Sequence, residues 1–175
     1  MNGQNFGGTT NTGVLKFNGT ATNQQAGVSV AAGDINGDGI SDLIIGGRSG
    51  GVAVIYGGGA QAGLTPGIDN LSNVFTTGFA LNTLNGTNGG FLITGTALRP
   101  TAVASGDING DGFADIVIGD TANSAVWVVY GKAGAYSATS VTTMSLAQGF
   151  KISQTNYGEG VGTSVAAGDV NGDGF

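Results

Sequence analysis

Short apolar runs, separated by pieces rich in glycine, asparagine and threonine, recur along this chain in a fixed order. VSVAAG (28–33), TAVASG (101–106) and TSVAAG (163–168) each lead into a polar loop. DLIIGG (42–47) and DIVIGD (115–120) follow the first two loops and are almost wholly apolar, as strands buried on both faces are. VAVIYGGG (52–59) and VWVVYGK (126–132) come next, β-branched and aromatic, with glycine closing each run. Further upstream of each loop stand VLKF (14–17), FLIT (91–94) and FKIS (150–153). No stretch keeps a helical period over a useful length. The pattern predicts an all-β chain with about four short antiparallel strands per repeat, the plan of a β-propeller blade. A β-sandwich would have no need of two near-copies of one strand–loop–strand sequence.

The repeat is unequal in length: Asp34 and Asp107 stand 73 positions apart, Asp107 and Asp169 62. It divides the 175-residue chain, a partial propeller over 1–175, into blade repeat 1 (14–90), blade repeat 2 (91–149) and a truncated blade repeat 3 (150–175). That is an incomplete propeller of about two and a half blades, whereas closure takes at least about four. Further blades are therefore expected from a longer chain or from other copies. The longest piece between strands, 64–90, is expected to form an exposed edge or loop.

The polar loops carry the candidate chemistry. GDINGDGISD and GDINGDGFAD repeat the same nine-position spacing, and GDVNGDGF begins it a third time. In the first loop Asp34, Asn36, Asp38 and Asp42 occupy positions 1, 3, 5 and 9, with Ile40 at 7. In the second these are Asp107, Asn109, Asp111 and Asp115, with Phe113 at 7, and the third offers Asp169, Asn171 and Asp173. Alternate residues of a tightly curled loop turn oxygens inward, position 7 adds its carbonyl, and glycine at position 6 allows the sharp turn. Three carboxylates, an amide and a carbonyl suit Ca²⁺ better than the smaller Mg²⁺. An EF-hand is excluded, because position 12 is Ile45 or Ile118 where a bidentate glutamate would be needed.

Composition sharpens this picture. Of 11 acidic residues eight lie in the three loops, so the formal charge of −6 is concentrated at candidate cation sites. The five basic residues, Lys16, Arg48, Arg99, Lys132 and Lys151, are scattered and form no patch for nucleic acid. Without histidine or cysteine there is no disulfide framework, little to hold zinc, and no Ser–His or Cys–His pair for nucleophilic catalysis. The remaining carboxylates Asp69, Asp120 and Glu159 lie far apart in sequence, and the chain is read as no enzyme. No apolar run approaches the roughly 18 residues of a membrane span, and no secretory signal is visible at the start. Trp127, Tyr56 and Tyr130 fall in strand patterns and are expected to pack in the core or between blades.

Strand, then GDINGDGISDLIIG, then VAVIYG resembles the FG-GAP repeat of integrin α-chain propellers and of many bacterial surface proteins. The resemblance covers roughly 14–131 and the chain from Phe150 onward. Ala26–Gly27, Arg99–Pro100 and Val161–Gly162 stand where the Phe-Gly of the repeat would be. It implies a propeller, usually extracellular or at the cell surface, with calcium in the loops and a protein or carbohydrate ligand on one face. On this reading the chain is a calcium-stabilised adhesion or ligand-binding segment. Two alternatives are a purely structural scaffold and an accessory segment of a larger secreted hydrolase.

Overall fold

The computed structural model describes residues 17–18, 25–57, 79–80, 84, 86, 89–134, 136–137, 139–154 and 160–175. The described residues contain eleven strands and no helix. These are β1 (Phe17–Asn18), β2 (Ala26–Gly33), β3 (Asp42–Gly47), β4 (Gly51–Ile55), β5 (Phe79–Ala80) and β6 (Gly90–Thr94). The series continues with β7 (Pro100–Gly106), β8 (Asp115–Asp120), β9 (Ala125–Val129), β10 (Thr139–Ser140) and β11 (Gly149–Ser153). Most of the 64–90 piece, and all of VLKF but Phe17, lie outside the described residues.

Two sheets carry the repeat. In the first, β2, β3, β4 and β6 form an antiparallel meander, with the short β10 added parallel to β6. In the second, β7, β8, β9 and β11 form the same meander. Each is a four-stranded blade, and the two blades do not close into a ring. β1 and β5 pair with each other in parallel. The fourth strand of each meander comes from the far side of a long connection. FLIT hydrogen-bonds to the strand of VAVIYG, Val54 opposite Phe91, and FKIS to that of VWVVYG, Val128 opposite Phe150. Sheets and sequence repeats are therefore offset by one strand, because apolar spacing reports that a strand exists and not which strand it pairs with. TSVAAG (163–168) forms no strand: in the other repeats its counterpart is laddered to the run after the loop.

The meanders repeat in detail. A register shift interrupts the β2–β3 ladder between Ala26 and Ser29, and the β7–β8 ladder between Pro100 and Ala102. These bulges let the strand leading to the loop bend across its neighbour. β7 packs against β2 and β3 of the first blade. One apolar cluster spans the junction, with Ile44, Val52, Val54, Phe91 and Ile93 from the first blade and Val103, Ile116, Ile118, Trp127 and Val129 from the second. Ile45, Ala53, Ile55 and Leu84 gather on the opposite face of the first sheet. Trp127 is buried in the shared core, and Tyr56 and Tyr136 flank Phe91, the latter stacked on it at 4.3 Å.

Candidate metal centre

The first two loops follow the strands that open the meanders, the third follows residues 163–168, and each folds around its first aspartate. In the first loop one Asp34 oxygen accepts the N–H groups of Gly37 (2.7 Å) and Asp38 (3.0 Å), and the other that of Gly39 (2.8 Å). The Asn36 side chain accepts from the N–H of Asp38 at 3.0 Å, and Asp38 accepts from that of Ile40 at 2.9 Å. Such a curl requires left-handed backbone at positions 4 and 6, where φ is +76° at Gly37 and +85° at Gly39.

The other two loops fold the same way. Asp107 accepts from Gly110, Asp111 and Gly112 at 2.8, 3.2 and 2.8 Å. Asp169 accepts from Gly172, Asp173 and Gly174 at 2.6, 3.2 and 2.8 Å. Asn109 and Asn171 accept from the N–H groups of Asp111 and Asp173, and each donates its amide to that same aspartate's carboxylate. Phe113 and Phe175 donate their N–H groups to Asp111 and Asp173. On the exposed third loop these N–H groups, Gly174 and Gly172 foremost, hold the Asp169 carboxyl below its ordinary range.

The ninth-position aspartates have a different environment. Asp42 and Asp115 open β3 and β8 and are fully buried. Asp42 accepts from the N–H of Ile35 at 2.9 Å and from that of Gly57 at 2.9 Å; Asp115 accepts from Ile108 at 2.8 Å and Gly131 at 2.7 Å. Each thus ties its loop to the end of the strand two places on. Burial pushes the Asp42 carboxyl up to about 6; the two N–H groups oppose this and the charges of Asp38 and Asp34 add to it. Asp115 is raised for the same reason, burial first, with Asp111 and Asp107 adding. Gly57 and Gly131 are partners of these aspartates that spacing within the loops does not reveal. Their signal is the Tyr-Gly pair closing each apolar run. A Cβ there would run into the carbonyl of Ser41 or Ala114.

All thirteen predicted ligand positions therefore stand in their loops: Asp34, Asn36, Asp38, Ile40 and Asp42; Asp107, Asn109, Asp111, Phe113 and Asp115; Asp169, Asn171 and Asp173. Among the described residues no three acidic side chains converge closely enough to hold a metal ion between them. Like-charged carboxylates separate and take backbone N–H partners instead. The donor set nevertheless fits a hard cation: every donor is oxygen, and a carboxylate oxygen that accepts one N–H keeps a second lone pair.

Asp120, buried at the end of β8, is held by Asn123 (2.6 Å) and the Trp127 indole N–H (3.3 Å), which makes it part of the core rather than of a loop. Arg48 is exposed on the turn between β3 and β4. No helix among the described residues is long and apolar enough to cross a membrane. The family profile of the FG-GAP repeat matches residues 26–63 and 99–129, the first match beginning on β2 and the second one residue before β7. No curated protein matches the chain.

Proposed function

We propose that the chain, matched by the FG-GAP repeat over residues 26–63 and 99–129, is a calcium-stabilised, non-catalytic segment of an extracellular or surface propeller that presents loops to a protein or carbohydrate ligand. The observation that carries this reading is the identical folding of three loops around their first aspartates. The loop backbone is already curled, which leaves cation binding to turn in the side chains at positions 1, 3, 5 and 9 and to fix the position-7 carbonyl. Asp34, Asn36, Asp38, Asp42 and the Ile40 carbonyl would hold one ion, and Asp107, Asn109, Asp111, Asp115 and the Phe113 carbonyl a second. Asp169, Asn171 and Asp173 supply the start of a third set. The ion's chemistry is electrostatic: it turns repulsion among carboxylates into attraction and joins the strand before the loop to the strand after it. Binding free energy then appears as folding free energy.

Extracellular calcium modules bind at about 10⁻⁴ to 10⁻³ M, which favours occupancy outside the cell over occupancy in cytosol. A calorimetric Ca²⁺ titration of chelator-treated protein tests the reading, with two ions per chain expected. Asp107→Ala should remove one of them and lower the melting temperature in calcium. A folded sample that takes up no calcium overturns the proposal. The ligand half is tested on a glycan array and with surface proteins: reproducible binding supports it, and none from a folded, calcium-loaded sample leaves only a scaffold role.

A further inference from the structure

The first loop is not held by its own blade alone. Four successive residues, 34 to 37, are clasped from the second blade. The Asp34 carbonyl accepts the N–H of Ala114 at 2.9 Å, the Ile35 carbonyl that of Lys132 at 3.1 Å, and the Asn36 carbonyl that of Gly134 at 3.3 Å. Over Gly37 lies the Phe113 ring, so close that a Cβ there would run into it. As a result Asn36 is 2 % exposed, while Asn109, its counterpart in the second loop, is exposed.

Two of the clasping residues belong to the second loop itself. Phe113 is its position 7, the residue whose carbonyl would join the cation's donor set, and Ala114 follows directly. The arrangement recurs one step on: the Phe175 ring sits over Gly110, 3.2 Å from where a Cβ would stand, and Ala167 covers Gly106 as Ser105 covers Gly33. Position 7 of one loop thus seats on the position-4 glycine of the loop before it. Residues 113 and 114 belong to the second loop while giving a ring and an N–H to the first.

We propose that the loops at 34–42 and 107–115 bind calcium as a coupled pair, with Phe113 as the positioning residue that carries the coupling. This rests on the calcium reading above. An ion that draws in the Phe113 carbonyl fixes the orientation of residues 113 and 114, and with it the clasp on 34 to 37. Conversely, a filled first loop presents a fixed Gly37 surface and Asp34 carbonyl to the second. Coupling of this kind is reciprocal, each ion raising the affinity for the other by one shared factor.

The test follows the Gly39 and Gly112 amide resonances through a Ca²⁺ titration of the full chain, reading each loop separately. In the unaltered protein both are expected to move at about the same calcium concentration. Asp111→Asn, which weakens only the second loop's donor set, should raise the midpoint of Gly39 about fivefold or more. Asp38→Asn should raise that of Gly112 by the same factor. Phe113→Ala, which leaves every ligand oxygen in place, should likewise shift Gly39, and Phe113→Leu should restore most of the shift. A Gly39 midpoint unmoved by Asp111→Asn overturns the coupling while leaving calcium binding intact. Should Phe113→Ala fail to fold, the two ligand variants decide the matter with the Phe113 ring in place. If neither resonance moves in the unaltered, folded protein, the calcium reading itself fails, and the coupling falls with it.

Discussion

At the scale of single residues, the repeat supplies its own controls. Ser105 occupies the place held by Ala32 and Ala167 in the other repeats, and its buried hydroxyl has no hydrogen-bond partner among the described residues. A buried hydroxyl without a partner costs on the order of 1–3 kcal/mol. Ser105→Ala should therefore leave the melting temperature unchanged or raise it, and a clear fall would show that the hydroxyl is satisfied. Tyr56 and Tyr136 give a second residue-scale expectation. Burial pushes the Tyr56 phenol from an ordinary 10.0 up to about 12, and raises Tyr136 as well. Because the folded-state values lie above the unfolded ones, this stabilising contribution is complete below pH 10 and is lost as pH rises through the folded values. Stability should fall between pH 10 and about 12, and the phenolate absorbance of these two side chains should appear together with unfolding by circular dichroism. Phenolate absorbance from them in a still-folded chain would contradict their burial.

At the scale of the strand, identical sequence positions acquire different burial from their neighbours. Val30 on β2 and Val103 on β7 hold the same place in their repeats, yet Val30 is 60 % exposed and Val103 6 %. The difference is the first blade, whose Gly46 receives the Val103 side chain. Val103→Asp, burying an unpaired charge, should cost about 3 kcal/mol or more, and Val30→Asp less than about 1 kcal/mol. Paired urea melts measure both; equal losses would mean that the outer face of β2 is covered in solution.

At the scale of the whole molecule, the shared core makes the two blades one cooperative unit. Ile44 is buried in the first blade and the chain's single tryptophan in the second, within the same cluster. Ile44→Ala should therefore lower stability by about 2–4 kcal/mol as read by Trp127 fluorescence. A Trp127 transition left unmoved would show that the blades unfold separately. Calcium, on the proposed reading, raises the same transition through both loops.

The all-β class, most of the strands and all three loops were legible in the sequence. Each is a local consequence of residue chemistry: β-branched runs favour extended backbone, and Asp-x-Asn-Gly-Asp-Gly curls on its own N–H groups wherever it stands. GDINGDG at 33–39 and 106–112 and GDVNGDG at 168–174 take the same curl on their own N–H groups in three different settings. What only the tertiary structure decided are relations between segments far apart in the chain. FLIT and FKIS read as openings of a repeat yet close the sheet before, because a strand's partner is chosen by what the long connection brings alongside. Gly57 and Gly131 became partners of buried aspartates, and Phe113 became a lid on Gly37, for the same reason. Spacing along a chain encodes local backbone geometry; which carbonyl meets which N–H across a blade junction is settled by packing in three dimensions.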